Sequence, residues 1–324
     1  MKQTIKWGII GCGNVTEVKS GPAYKMTEGF ELVAVMRRNL ELAKDYAERH
    51  NVARYYNNAD QLIQDSEVDA VYIATPPDSH YYYAMKVAEA GKICCIEKPM
   101  ARSYTECKEI QDAFNNLNQP LFVAYYRRSL PRFNKVKSLL EENTIGNVRH
   151  VSWYLSRTPS DLDESDIYNW RTDAKIAPAG YFDDLACHGL DLFTYLFGNV
   201  KTAKGIANNQ QNLYSAKDCI SGSWEHESGV LGTGLWSFGT YKREDKVRII
   251  GSEGELSFSV FGEVPVKLIT RNNTEVITIE NPTHIQQYHV ENMAKHLNTE
   301  FQHPSTGETA THTAWVMGKI LGQI

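Results

Sequence analysis

Through the first third of the chain, short apolar runs alternate with longer polar stretches of helical character. Ile5–Ile10, Leu32–Met36, Ala70–Ala74, Ile93–Ile96 and Leu121–Ala124 read as strands. Leu40–His50, Ala59–Gln64, His80–Ala90 and Thr105–Asn116 read as the helices between them, with stops near Asp65-Ser66 and at Gly91. Such alternation predicts βαβ units around a parallel, doubly wound Rossmann sheet. After about residue 125 the texture changes. Pro131–Glu142 predicts a helix, Ile145-Gly146-Asn147 a turn, Val148–Ser156 a strand, and residues 157–175 a polar loop. A compact helix follows near Asp183–Phe197. Then Val230–Phe238, Lys246–Ile250, Glu255–Phe261, Val266–Ile269 and Glu275–Ile279 are set off by glycine, asparagine and charged turns, the spacing of an antiparallel sheet. Ile285–Leu297 and Glu308–Leu321 predict closing helices. The reading is α/β: a dinucleotide-binding domain at 1–122, then an α+β domain at 123–324 with a large, mostly antiparallel open sheet.

Bulk properties narrow the field. At 324 residues the chain exceeds what one core usually holds, ~250–300 residues. Its 42% hydrophobic and 23% charged residues exclude a disordered class. A net charge of −5 offers no global basic surface for nucleic acid or anionic lipid. No run of ~18 apolar residues predicts a membrane span. Met1–Lys6 leads into a strand without a signal-peptide core, which predicts a cytoplasmic protein. The six cysteines are scattered, with no metal-type spacing, so free buried thiols and no metal are expected.

The first chemistry-bearing segment is Gly8-Ile9-Ile10-Gly11-Cys12-Gly13-Asn14-Val15-Thr16. Gly11 and Gly13 fit the first two places of the dinucleotide fingerprint, one for the tight turn and one for close backbone approach to a pyrophosphate. Asn14 and Val15 open the helix that would receive it. Thr16 stands where glycine or alanine is usual, so looser helix–strand packing is expected there. The second strand ends Met36-Arg37-Arg38-Asn39. An NAD enzyme usually carries an acid at that tip; two guanidinium groups suit a 2′-phosphate, so NADP(H) is expected over NAD(H). A solvated helix approach is the plainer account of both arginines.

Three further segments occur in order: Thr75-Pro76-Pro77-Asp78-Ser79-His80, Glu97-Lys98-Pro99, and Gly180-Tyr181-Phe182-Asp183-Asp184-Leu185-Ala186-Cys187-His188-Gly189-Leu190-Asp191. With the glycine turn, this ordered set resembles the Gfo/Idh/MocA (glucose–fructose oxidoreductase/inositol dehydrogenase) family over essentially the whole chain. The resemblance implies a Rossmann domain followed by an α/β domain, with nicotinamide and substrate meeting between them. It implies that Lys98 contributes to catalysis and contacts both, and that Asp184 and His188 are the acid and histidine of the later motif. Ala179-Gly180 after Pro178, and Ala186 where many members have glycine, are small departures expected to tune packing. A homodimer or homotetramer through the C-terminal sheet is also implied.

The residue chemistry agrees. Asp184 and His188 are four apart, hence on one face of a regular helix, with Asp191 near enough to orient the imidazole. A carbinol–carbonyl interconversion moves a hydroxyl proton as well as a hydride, and histidine titrates where that is easy. Lys98 suits a developing alkoxide; Glu97 beside it would tether the loop. Thr75, Pro76, Pro77 and His80 fall at the strand-end edge where cofactors bind, with helix capping by Asp78 or Ser79 as the competing role. Tyr126 and Arg128 resemble the family segment bordering nicotinamide and substrate. Trp170 and Arg171 offer an aromatic face and a forked donor to a sugar ring; ordinary packing is the alternative for each. Tyr81-Tyr82-Tyr83 carries no functional expectation. The expected activity is NAD(P)-dependent oxidation or reduction of a sugar, inositol-like polyol or related diol. A cofactor-binding regulator and a nucleotide-dependent glycosidase are the alternatives; aglycone release without net cofactor turnover would mark the second.

Overall fold

The computed structural model describes residues 4–324. The chain divides into two compact units, one of residues up to Ser129 together with Pro282–Thr311, the other of Leu130–Asn281 together with His312–Ile324. The expected edge at 122/123 therefore moves to 129/130, and a later segment returns to the first unit. Apolar periodicity marks a helix, but not the unit against which it packs.

In chain order the first unit begins β1 (Ile5–Ile10), α1 (Asn14–Val18), α2 (Gly21–Met26), β2 (Phe30–Met36), α3 (Leu40–His50) and β3 (Arg54–Tyr56). It continues α4 (Ala59–Gln64), β4 (Ala70–Ile73), α5 (His80–Glu89), β5 (Ile93–Ile96), α6 (Tyr104–Asn116) and β6 (Leu121–Val123). The strands form one parallel sheet in the order β3-β2-β1-β4-β5-β6. Order reverses between β1 and β4, the switch point beyond which ligands bind in open α/β sheets. β4 and β6 are buried at every position, as parallel strands covered on both faces must be. Side-chain caps set three helix starts: Asn39 accepts from the Leu42 N–H at 3.1 Å, Asn58 from that of Asp60 at 2.8 Å, and Ser103 from that of Glu106 at 3.1 Å.

The second unit contributes α7 (Pro131–Glu141), β7 (Val148–Ser156), α8 (Cys187–Phe197), β8 (Val200–Asn208), β9 (Cys219–His226), β10 (Leu231–Ser237) and β11 (Glu244–Gly251). β12 (Gly254–Phe258), β13 (Val266–Thr270) and β14 (Thr274–Ile277) complete it. The eight strands run β14-β13-β12-β11-β7-β10-β9-β8, antiparallel at every pair except β7/β10. One face carries the core: Trp153 stands edge-on to Trp236 at 5.7 Å and to Phe193 of α8 at 5.8 Å, while Phe193 stacks on Trp224 at 5.9 Å. α8 is apolar nearly all round because it is buried nearly all round. On the sheet's other face Tyr154, Ile206, Leu231 and Leu235 remain exposed.

α9 (Gln287–Asn298) and the start of α10 (Gly307–Ile320) complete the first unit. Val290 and Met293 of α9 enter its core beside Trp7, Tyr24, Phe30 and Tyr72. Each such fully buried side chain contributes about 1.5–3 kcal/mol. Just ahead of α9, the Gln286 N–H donates to the Lys19 carbonyl at 3.2 Å, and His284 Nδ1 lies 2.6 Å from the Val18 carbonyl.

Candidate active site

The glycine turn leaves β1 at the switch point. Gly11 adopts φ +93°, and a Cβ there would stand 2.7 Å from Thr75 Cγ2, so only glycine serves both the turn and the approach of the loop after β4. At Gly13 a Cβ would meet nothing nearer than the Gly11 oxygen at 3.9 Å. That side of the turn is open, as a cradle for a pyrophosphate has to be. Asn14 is exposed and Val15 half-buried beyond it. Thr16 corrects an expectation: its hydroxyl donates to the Gly13 carbonyl at 2.8 Å, and its own carbonyl accepts from Tyr46 Oη at 2.9 Å. The third fingerprint place is thus sealed rather than loose. Close backbone approach is made at Gly21, where a Cβ would lie 2.2 Å from the Thr16 oxygen. Arg37 is half-buried, with Nη1 3.5 Å from the Cys12 carbonyl, and Arg38 is exposed.

Glu97 is buried and anchors the loop that carries Lys98. Its Oε1 accepts from Tyr72 Oη and from Gln286 Nε2, both at 2.6 Å, and its Oε2 from the Lys98 N–H at 3.2 Å. Burial, reinforced by the Glu97 charge, drives the Tyr72 hydroxyl well above its usual range, so it stays a donor. His80, expected beside the cofactor, has no exposed surface. Its Nδ1 lies 2.9 Å from the Pro99 carbonyl and its Nε2 2.7 Å from the Thr75 carbonyl. The ring staples the loop after β4 to the loop after β5. Between those contacts Pro77 is buried, Thr75 half-buried and Pro76 exposed; Thr75 Oγ1 accepts from Ser79 Oγ at 2.7 Å. Tyr126, half-buried, lies 4.9 Å from the buried Arg127 guanidinium.

In the second unit the predicted helix at 183–197 does not start as an α-helix. Phe182–Ala186 makes one wide turn of π spacing before α8 continues it. Such turns interrupt helices mostly where function needs a side chain re-aimed. Asp184 lies within it and His188 follows in the first turn of α8, both buried. Arg171 Nε donates to Asp184 Oδ2 at 2.6 Å while its guanidinium lies 4.3 Å from the Trp170 ring. Trp170, Arg171 and Asp184 thus form one assembly.

His188 stands edge-on to Phe261, 5.7 Å between centroids at 82°. Asp245 holds that phenylalanine's backbone by accepting N–H bonds from Val260, Phe261 and Gly262 at 3.2, 2.6 and 3.3 Å; it also takes the Trp153 indole N–H at 3.0 Å. At Gly189 a Cβ would stand 2.3 Å from the Trp153 ring, so a side-chain-free position lets α8 settle on β7. Asp191 is fully buried and accepts from Thr313 Oγ1 at 3.1 Å. Beside Asp184, burial pushes the Asp183 carboxyl up to about 7, with Asp184 adding to the rise and the Ala179 N–H opposing it.

Sequence reading missed Tyr72, Gln286, Asp245 and Phe261. Gln286 lies 189 residues from Glu97, and no local pattern signals that meeting. Among the described residues no cluster of three His, Cys, Asp or Glu is placed to hold a metal ion, and no helix is long and apolar enough to cross a membrane.

Comparison with known proteins accords with this architecture. Residues 5–125 match the oxidoreductase family with an NAD-binding Rossmann fold, and residues 133–257 match the GFO/IDH/MocA C-terminal domain. Oxidoreductase P35 of Formosa agariphila is 39% identical over 323 residues, 99% of this chain and 100% of that one. The 1,5-anhydro-D-fructose reductase of Ensifer adhaerens is 24% identical, covering 83% of this chain and 80% of the relative. Among solved structures, levoglucosan dehydrogenase in complex with NADH and levoglucosan superposes with a TM-score of 0.84 at 21% identity, covering 98% of this chain and 96% of that one. The chain belongs to the Gfo/Idh/MocA family of oxidoreductases.

Proposed function

We propose that this protein moves a hydride between NADP(H) and the hydroxyl or carbonyl carbon of a sugar, inositol-like polyol or related diol. The observation that carries the reading is the wide turn at Phe182–Ala186, which holds a buried acid next to an arginine and an indole and leads directly into the buried imidazole of His188. When bound, the nicotinamide supplies or accepts the hydride. His188 exchanges the hydroxyl proton of the reacting carbon. The Lys98 ammonium donates to the oxygen as negative charge gathers on it, and the backbone bond to Glu97 keeps the lysine's loop in place. Asp184, fixed by Arg171, orients substrate and base; Trp170 and Tyr126 offer flat faces to a ring.

Gly11, Gly13, Asn14 and Val15 would hold the pyrophosphate, and the open side of Gly13 fits it. Arg37 and Arg38 would take the 2′-phosphate, which favours NADP(H) and carbonyl reduction. Thr75, Pro76 and Pro77 would border the cofactor, while His80 and Glu97 keep these loops in register. Two relatives named above are a reductase and a dehydrogenase of anhydro sugars, which supports the substrate class. The exposed Tyr154, Ile206, Leu231 and Leu235 suit burial against a second copy, as a homodimer or homotetramer. Free thiols are what a reducing cytoplasm maintains.

The test is a screen of sugars and polyols at the reduced-nicotinamide absorbance with each cofactor. His188→Ala should lower turnover by at least ~100-fold with NADPH affinity nearly intact; full activity in that variant refutes the role. Replacing Arg37 and Arg38 together should abolish NADPH preference, and equal affinities in the unaltered protein would overturn it.

A further inference from the structure

Beyond the wide turn, the second unit carries a half-open pocket of about 320 Å³ that none of the roles above uses. Leu185 and Phe261 form part of its wall, with Ser156, Arg157, Ser160 and Arg243 around them. Leu185 belongs to the turn between Asp184 and His188, and the Phe261 ring stands against His188 itself. The cavity therefore lies one ring away from the proposed proton-exchanging imidazole, and its volume is that of a small-ligand site.

Its electrostatics are one-sided. The lining includes two arginines and no acid. Arg157 is positioned by its backbone, whose N–H donates to the Ser237 carbonyl at 3.0 Å and whose carbonyl accepts from the Thr240 N–H at 3.2 Å. Its guanidinium lies 4.4 Å from the Tyr181 ring. Asp163, close enough to feel that charge, is already engaged by the Ser160 N–H at 2.8 Å, the Ser160 hydroxyl at 2.7 Å and the Tyr181 hydroxyl. Nearby acids are occupied too: Glu244 pairs with Lys242 at 3.8 Å, and Asp245 binds the 260–262 backbone. Neither Arg157 nor Arg243 forms an ion pair with a carboxylate among the described residues. Arg171, the arginine expected to face substrate, is by contrast matched to Asp184. In a chain of net charge −5, this concentration of positive charge is local.

We infer that the Arg157–Arg243 cavity is a substrate subsite for an oxyanion substituent, so that the protein prefers acidic sugars, those bearing a carboxylate, sulfate or phosphate group, over neutral ones. This rests on the hydride-transfer reading of the adjoining turn. A guanidinium pair recognises such groups through charge-assisted, forked hydrogen bonds, and the leucine and phenylalanine wall packs against the apolar face of a ring.

The test compares kcat/KM for a neutral hexose, the matching uronate, the sugar sulfate and the sugar phosphate, in the unaltered enzyme, Arg157→Gln, Arg243→Gln and the charge control Lys201→Gln. The unaltered enzyme should favour at least one anionic sugar, and which one identifies the oxyanion. Each arginine variant should reduce the anionic-over-neutral ratio by about 10- to 100-fold, mainly through KM, while Lys201→Gln leaves the ratio as it was. If Arg157→Gln fails to fold, the exposed Arg243 carries the comparison. Equal use of neutral and acidic sugars, or a ratio unmoved in Arg243→Gln, overturns the inference while leaving the hydride-transfer reading intact. If no sugar is turned over, thermal shift with the uronate, the sugar sulfate and the sugar phosphate decides the subsite alone. Stabilisation by any of them, lost in Arg243→Gln, keeps the subsite and removes the reading; no stabilisation removes both.

Discussion

The Arg171 guanidinium and the Asp184 carboxylate meet at 2.6 Å, and the acid is the more buried of the two, its side chain 9% exposed against 38% for the arginine. Removing the arginine therefore leaves a desolvated carboxylate beside the candidate base, whereas removing the acid leaves a cation that water can reach.

That asymmetry predicts unequal variants. In urea unfolding Arg171→Gln should be the more destabilising, because it strands the buried carboxylate. In activity Asp184→Asn, which removes the group proposed to orient substrate and base, should lose more kcat/KM than the about tenfold lost in Arg171→Gln. Because the two groups share one bond, the double variant should resemble Asp184→Asn alone. Strictly additive losses in a double-mutant cycle would show that the pair does not act as a unit.

Asp183 predicts a pH effect on stability. Its carboxyl rises from an ordinary 3.8 to about 7 in the folded chain, so the folded form keeps a proton that the unfolded form releases. Stability contributed by this group is complete below pH ~4, falls as the pH climbs to ~7, and is flat beyond. Asp183→Asn removes the dependence. Between pH 5 and 8 the variant should gain on the unaltered protein by a few kcal/mol in urea unfolding, and parallel profiles would contradict the prediction.

Tyr72 and Gln286 both donate to one oxygen of Glu97. Tyr72→Phe should cost about 1–3 kcal/mol of stability, the usual effect of depriving a buried acceptor. With the Lys98 loop loosened, kcat should fall about tenfold while dinucleotide affinity, measured by fluorescence quenching, changes little. An unchanged kcat would separate Glu97 from the function of Lys98.

Gly189→Ala sets two effects against each other. Alanine is the better helix former by about 1 kcal/mol. The added methyl, however, would enter the Trp153 ring at 2.3 Å, where overpacking costs about 1–3 kcal/mol or more. Packing should win, lowering both the melting temperature and the turnover that depends on neighbouring His188. A rise in melting temperature would mean that α8 can lift from the sheet at no cost.

Local pattern accounts for what was legible in the sequence. β1, β5 and β7 fall on the residues their composition predicted, because an apolar run between polar segments has few other uses. β8 and β9 did not announce themselves: Val200–Asn208 holds two lysines and an asparagine, since much of it faces solvent. The glycine turn was readable in place but not in packing, for Thr16 is sealed by Tyr46 from α3. Asp184 and His188 were singled out by the family resemblance, and placing them on one face assumed a regular helix; the wide turn changes how far round the axis they sit. The cavity arginines come from segments far apart in sequence, Arg157 after β7 and Arg243 before β11. Only tertiary pairing of those strands brings them together.

Gln286 reaches Glu97 from the segment that returns to the first unit, and α9 fills that unit's core. The chain leaves the nucleotide-binding unit at Ser129 and comes back at Pro282. A ribosome therefore makes the whole of the intervening sheet before delivering the last pieces of the unit it began with. A nascent chain stopped before Pro282 would have its glycine turn and its Lys98 loop, but neither the glutamine that steadies Glu97 nor the helix that closes the hydrophobic interior. Maturation of the dinucleotide site is thus tied to synthesis of the segment from Pro282 onward.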